Sequence, residues 1–211
     1  FSFRPAVDPD TSTLLVPSSI QFEFNATYIA PTDGGAYFTL GERIYFTNGS
    51  SATRVWESLS DDPSDVLEHE GMLFIRSNSK IYRFDRLRAG SPDSLTAITA
   101  ADTSVPYDAV AGRMAIVNGR LVFTAGAEED GTASAGTELF VVDDPLAAAP
   151  TARLLEINLT RTGDRAGSTL GSSPSNLTVV GAAGSQRLLF TANGEAAGTA
   201  PAVWSTDGTR D

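Results

Sequence analysis

The sequence predicts an all-β repeat protein, a β-propeller of about four irregular blades, with a β-sandwich as the alternative architecture. Three observations predict it. The stretch Arg120-Leu121-Val122-Phe123-Thr124-Ala125 returns as Arg187-Leu188-Leu189-Phe190-Thr191-Ala192. Each copy leads through a Gly- and Ala-rich loop to a second short strand ending in an acidic turn: Glu138-Leu139-Phe140-Val141-Val142-Asp143-Asp144, then Ala202-Val203-Trp204-Ser205-Thr206-Asp207-Gly208-Thr209. Finally, no segment places apolar residues at helical spacing between caps. Repeated strand–turn–strand units without helices mark sandwiches, barrels or propellers, and units of several strands each favour propeller blades.

Residues 1–30 read as an extended N-terminal segment, punctuated by Pro5, Pro9 and Pro17. Leu14-Leu15-Val16 and Ile20-Gln21-Phe22-Glu23-Phe24 are candidate edge strands, the second alternating with period two. Blades are expected over 31–211. Tyr37–Leu40 and Arg43–Thr47 lead to Asn48-Gly49, then Arg54–Trp56. Gly71–Ile75 precedes Lys80–Asp85, and Met114–Val117 turns at Asn118-Gly119 into Arg120–Phe123. Asn-Gly suits a two-residue hairpin loop because both turn positions require positive φ; Asn193-Gly194 repeats the signal. Ile44, Leu73, Leu121 and Leu188 are expected at equivalent places on four comparable strands. Leu146–Ala149, flanked by Pro145 and Pro150, has room for one turn at most.

The chain has 211 residues, a formal net charge of -11 and no cysteine. Lys80 is its only lysine against fourteen arginines. The absence of cysteine removes disulfides, thiolate metal sites and cysteine nucleophiles. The acidic balance points away from nucleic acid and anionic membranes, which need a basic footprint. No apolar run reaches the roughly 18 residues of a membrane-spanning helix, so membrane insertion by this chain is not expected.

Few residues suggest chemistry. His69, the single histidine, lies between Glu68 and Glu70 and reads as an exposed loop residue rather than a proton carrier. Acidic pairs and clusters occur at Asp8/Asp10, Asp61/Asp62/Asp65, Glu128/Glu129/Asp130 and Asp143/Asp144. Glu128, Glu129 and Asp130, followed by Gly131, are the best calcium candidates, although the alternating spacing of a calcium hand is missing; a solvated acidic loop is the default. Asn25, Asn48, Asn158 and Asn176 begin Asn-x-Ser/Thr triplets, which a secreted eukaryotic chain could glycosylate. Asp207 and Gly208 are adjacent, so the sialidase-type Asp-box spacing fails. Neither a Gly-x-Ser-x-Gly elbow nor a phosphate-binding Gly-Lys-Ser/Thr loop is present. Trp56, Trp204 and the tyrosines are expected in the inter-blade core rather than on a sugar-stacking surface.

Residues 172–209 resemble the bacterial ELWxxDGT-type propeller repeat. The lead is Ser173-Pro174-Ser175-Asn176-Leu177-Thr178, the strand Leu188-Leu189-Phe190-Thr191-Ala192 and the ending Ala202-Val203-Trp204-Ser205-Thr206-Asp207-Gly208-Thr209, with Ala-Val where the repeat has Glu-Leu. The preceding copy, Glu138-Leu139-Phe140, keeps Glu-Leu-aromatic and loses the final Gly-Thr. The resemblance covers about residues 110–211. It implies structural roles: Phe140 and Trp204 packed between blades, and Asp207-Gly208 closing a hairpin. The last blade is expected to lack its outer strands, with the polypeptide continuing past Asp211; the alternative is that an N-terminal strand such as 20–24 completes it.

Together these readings imply a non-enzymatic binding or scaffolding module without a required cofactor. It is expected outside the cytoplasm of a bacterium, in the periplasm, on the cell surface or secreted, as an accessory subunit docked on other proteins of a multi-subunit membrane complex. The alternatives are a fragment of a glycan-active propeller enzyme and a calcium-stabilised adhesion module.

Overall fold

The computed structural model describes residues 29–32, 34–56, 63–77, 80–85, 95–101, 107–127, 137–155, 172–193 and 201–209. Every regular element among them is a strand. Sheet 1 is β1 (Ile29–Thr32), β2 (Gly35–Leu40), β3 (Arg43–Thr47) and β4 (Ala52–Trp56). Sheet 2 is β5 (Asp65–His69), β6 (Met72–Ser77), β7 (Lys80–Asp85) and β8 (Leu95–Ala97). After the two-residue strand β9 (Thr99–Ala100), sheet 3 contains β10 (Tyr107–Val117), β11 (Arg120–Ala127), β12 (Thr137–Val142) and β13 (Thr151–Leu155), with β9 added beyond β13. Sheet 4 is β14 (Ser175–Val180), β15 (Arg187–Ala192) and β16 (Ala202–Thr206). β1 starts at Ile29, so sheet 1 begins two residues ahead of the boundary expected from sequence.

Apart from β9, the strands of each sheet form an antiparallel meander, a local topology fixed by its turns. Asn118-Gly119 joins Val117 to its partner Arg120 with φ of 49° and 80°, the two-residue geometry expected of Asn-Gly. Glu70-Gly71 does the same between His69 and Met72 with φ of 49° and 81°. Asn48-Gly49 departs from the expectation. Its loop runs from 48 to 51, between the partners Thr47 and Ala52. It is closed by the Asn48 carboxamide oxygen, which accepts the Ser50 and Ser51 amides at 3.0 Å each. An Asx turn of this kind substitutes for a tight hairpin.

The sheets stack face to face in chain order through three apolar layers. Ala30, Tyr37 and Ile44 of sheet 1 meet Val66, Leu73, Ile75 and Phe84 of sheet 2, with Trp56 packed against them. Phe74 and Ile81 of sheet 2 meet Leu121, Phe123 and Phe140 of sheet 3. Val122, Leu139 and Val141 on the opposite face of sheet 3 meet Leu188, Phe190 and Ala192 of sheet 4. Sheets 2 and 3 are therefore apolar on both faces, which is why their inner strands β6, β11 and β12 carry near-continuous hydrophobic runs. β1 lies against β5, β5 against β10 and β10 against β14, so the first strands line up along one side. Successive meanders of three to five strands arranged this way form a propeller rather than a two-sheet sandwich.

A short stitch locks sheet 2 to sheet 3. The Ile98 amide donates to the Ile81 carbonyl at 2.9 Å, and the Ala101 amide to the Ala152 carbonyl at 2.7 Å. Between them β9 pairs with β13 in parallel, and Ile98 is buried in the layer it crosses. Leu146–Ala149 forms turns and bends, with no helix. Its Ala147 and Ala148 carbonyls accept Arg83 of sheet 2.

One expected equivalence is corrected. Leu73, Leu121 and Leu188 all lie on the second strand of their sheets and face the preceding sheet. Ile44 lies on β3, the third strand of sheet 1, and faces the following sheet. Gly41-Glu42-Arg43-Ile44 imitates Asn118-Gly119-Arg120-Leu121 because both follow a tight turn, but the turns join different strand pairs.

Candidate interaction site

The repeated sequence places its chemistry at the junction of sheets 3 and 4. Phe123 stands opposite Phe140 and Ala125 opposite Glu138; in the same register Phe190 stands opposite Trp204 and Ala192 opposite Ala202. Phe140 is fully buried between sheets 2 and 3, stacked on Phe123 at 5.8 Å. Trp204, half-buried, packs against the layer between sheets 3 and 4, and its indole N–H donates to the Ala192 carbonyl at 3.2 Å. Both aromatics thus face the preceding sheet.

Glu138 marks where the two copies differ. Its buried carboxylate accepts the Ser172 amide at 2.8 Å and the Ser172 hydroxyl. The Ser173 amide donates to the Thr137 carbonyl at 2.9 Å. Glu138 thereby anchors the segment leading into sheet 4. A charge-assisted bond to a buried carboxylate is among the stronger polar contacts. At the matching place in sheet 4 stands Ala202, which has no acceptor side chain.

Asp207-Gly208 does not close a hairpin among the described residues; it latches sheet 4 to sheet 3. Gly208 has φ of 86°, and a Cβ there would meet Arg120 Cδ at 3.2 Å. Its carbonyl accepts Arg153 at 3.3 Å. Arg153 and Arg120 both hold Asp143, at 2.6 and 3.2 Å, and their hydrogen bonds keep the Asp143 carboxyl below the usual carboxylate range. Asp207 binds the Thr209 hydroxyl and amide through one oxygen, which lowers its pKa likewise. Beside this latch Asn118 and Gln186 exchange three hydrogen bonds, each of 2.8 Å. These side chains are consumed by structure.

The outer face of sheet 4 is different. The residues of sheet 3 that face forward, Val122, Thr124, Leu139 and Val141, are 0 to 2% exposed. The positions matching them in sheet 4 are Leu189, Thr191, Val203 and Ser205. Val203 is 75% exposed, Ser205 is exposed, and Leu189 and Thr191 are half-buried. Val180, on the same face, is 40% exposed. Polar groups surround these aliphatics: Arg187 bonds the Ser205 hydroxyl at 2.6 Å, and Asn176 and Ser175 both bond Thr191. A half-apolar, hydroxyl-bearing sheet surface is thus presented where the preceding sheet has core.

The other sequence candidates find less support as sites. Glu128, Glu129 and Asp130 lie outside the described residues, as do Asp8, Asp10, Asp61, Asp62, Asn25 and Asn158. Among the described residues no three His, Asp or Glu side chains are grouped to hold a metal. His69 ends strand β5 rather than sitting in a loop, and is half-buried. Asp65 is also in β5; its carboxylate accepts the Met114 amide of sheet 3 at 2.8 Å and the Val66 amide. Burial pushes its pKa up despite the Met114 amide, Arg76 and Arg113. Trp56 packs edge-on against Phe84 at 5.3 Å, and Tyr37 and Tyr45 are buried. No helix among the described residues is long and apolar enough to cross a membrane.

No protein-family model matches this chain, and no curated protein does. Among solved structures it is similar to the N-terminal domain of Nup159, at 8% identity and a TM-score of 0.39, over 87% of this chain and 61% of that one. A chain from the S. cerevisiae complex of Dbp5 with Nup159, Gle1, IP6 and ADP aligns at 7% identity and a TM-score of 0.29, over 90% of this chain and 76% of that one. This chain therefore spans about three-fifths of the length of the Nup159 domain. The architecture stands on the sheet order and layers described above.

Proposed function

We propose that this chain is a non-enzymatic scaffolding module of the ELWxxDGT repeat type, which docks on another protein through the outer face of sheet 4. In this reading it works outside the cytoplasm as an accessory subunit of a larger assembly. The observation that carries the proposal is the 75% exposure of Val203, at a place where sheet 3 buries Leu139 completely. A contiguous surface with apolar residues inside a polar surround is the composition expected of a protein contact. The carboxylates of Asp65, Asp143 and Asp207 are each engaged by neighbouring amides, arginines or hydroxyls, which further favours a structural over a catalytic use of the conspicuous acids.

The test is site-specific photo-crosslinking in the native source. A benzophenone side chain at Val203 is expected to give one saturable protein adduct, and the same group at exposed Glu42, in the β2–β3 turn of sheet 1, none. Val203→Glu is expected to abolish co-purification of the adduct partner. Equal labelling from both positions, or no adduct from 203, rejects the docking face.

A further inference from the structure

Asn48-Gly49 and Asn118-Gly119 both lie wholly within the described residues, and the fold treats them oppositely. In such a pair the glycine nitrogen can attack the preceding carboxamide, because no Cβ hinders its approach. At Asn118 the carboxamide is tied away from that reaction. Its Nδ2 donates to the Gln186 carbonyl and its Oδ1 accepts the Gln186 amide, each at 2.8 Å. Turning the group toward Gly119 would break both bonds. At Asn48 the side chain is exposed, and its described bonds all fall on Oδ1. That oxygen accepts the Ser50 and Ser51 amides and the Ser50 hydroxyl at 3.0 Å each, and the Ser51 hydroxyl at 3.4 Å. Oδ1 is the atom that gains negative charge when a nucleophile adds to the carboxamide carbon. Donors already aimed at such an atom lower the barrier. The attacking N–H, that of Gly49, donates to Thr47 Oγ1 at 3.0 Å, and this hydroxyl donates to the Ser51 carbonyl at 2.8 Å. Gly49 has φ of 92°, and a Cβ there would meet nothing within 4 Å, so no neighbour obstructs ring closure.

We propose that Asn48 is a self-modification site, at which loop 48–51 accelerates the loss of its own carboxamide. The Gly49 amide gives up its proton to solvent base, and its nitrogen bonds to Asn48 Cγ. The oxyanion forms on Oδ1, facing the Ser50 and Ser51 amides and hydroxyls. It collapses by breaking the Cγ–Nδ2 bond, and Nδ2 takes up a proton and leaves as ammonia. Water then opens the succinimide ring that remains. Opening at the Cγ–N bond gives aspartate; opening at the main-chain carbonyl gives isoaspartate. In sum, a water is consumed and an ammonia released, and nothing is oxidised or reduced. Either product adds a negative charge to a chain already at -11. Aspartate keeps the acceptor that closes the turn, whereas isoaspartate inserts a methylene into the main chain between β3 and β4. The loop thus changes its charge and its backbone with time, independently of any docking partner.

The full chain is incubated in mildly alkaline buffer made with heavy-oxygen water, then digested, and each asparagine is followed by mass spectrometry. Incorporated heavy oxygen marks every ring opened during the incubation. Methylation by an isoaspartyl methyltransferase counts the isoaspartate product. The reference is an end-blocked peptide of residues 45–54, which has the same sequence without the fold. Acceleration by the loop predicts that Asn48 reacts at least about threefold faster in the chain than in the peptide, and at least about tenfold faster than Asn118 in the same sample. Ser50→Ala combined with Ser51→Ala removes both hydroxyls and keeps both turn amides, and should slow Asn48 by about threefold or more. Slow reaction of Asn118 in that variant reports that its clasp, and with it the fold, is intact. A rate at Asn48 equal to or below that of the peptide would mean that the turn protects the side chain, and overturns the proposal. An unchanged rate at Asn48 in the double alanine variant overturns it as well.

Discussion

Replacing Phe140 with alanine perturbs the layer between sheets 2 and 3 at its centre. Phe140 is fully buried and lies with its ring 16° from the plane of Phe123. A phenylalanine buries roughly 150–250 Å², which at about 25 cal/mol/Å² corresponds to ~4–6 kcal/mol as an upper bound. Core Phe→Ala substitutions cost about 3–5 kcal/mol, so a loss of ~4 kcal/mol is expected. Against a total stability on the order of 10 kcal/mol, this is a large fraction. With a urea slope of roughly 2 kcal/mol/M, the unfolding midpoint should drop by about 2 M. The assay is equilibrium urea unfolding read by tryptophan fluorescence, because Trp56 and Trp204 flank the perturbed layer on either side. Phe140→Leu retains most of the volume and should cost less than about 1.5 kcal/mol. A loss below about 1 kcal/mol for Phe140→Ala would refute the placement of this residue in a packed inter-sheet core.

Two further outcomes follow from the polar contacts. Asn118→Gly keeps the positive φ of the turn and the backbone amide bond to Gln186 Oε1 but deletes the two bonds made by the Asn118 side chain to Gln186, so thermal unfolding should show a loss of about 1–2 kcal/mol; an unchanged melting temperature would sink the clasp. Asp143 and Asp65 should respond to pH with opposite sign. The folded pKa of Asp143 is depressed below its ordinary 3.8, so its contribution is complete above that value and lost as pH falls through the folded pKa. The stability difference between wild type and Asp143→Asn should therefore shrink on acidification. The folded pKa of Asp65 is raised above 3.8; its folded form holds a proton longer, and stability declines as pH climbs from 3.8 through the raised value. Asp65→Asn, which keeps an oxygen for the Met114 amide, should gain on wild type over that climb. Slopes of the same sign for both variants, measured by denaturation from pH 3 to 7, would contradict these assignments.

Repetition was the legible part of this chain. Arg-Leu-x-Phe-Thr-Ala marks β11 and β15, whose partners Phe140 and Trp204 stand in identical register. Strands of strong apolar and aromatic content, such as Lys80–Asp85, were equally plain. The first strands of sheets 1 and 2 were not. β1 contains Pro31, and β5 reads Asp-Val-Leu-Glu-His, a polar stretch that resembles a loop. Asp65 is tolerated there because Met114 of the neighbouring sheet donates to it, a tertiary contact with no local signature. β8 and β9 are too short for periodicity to register. The same limitation governs the site. The exposure of Val203 and Ser205 depends on what stacks in front of them, whereas their sequence resembles the buried Leu139 and Val141. The anchoring role of Glu138 required its meeting with Ser172, across a long stretch of chain.

Thiol accessibility tests the central claim most directly, because the chain has no cysteine of its own. Val203→Cys and Leu139→Cys place single thiols at matching positions of sheets 4 and 3. The isolated protein is expected to label at 203 at the rate of a free thiol, and at 139 at least about a hundredfold more slowly, limited by opening of the layer. Labelling at 203 as slow as at 139 would mean that the outer face of sheet 4 is covered, and would contradict an exposed docking face.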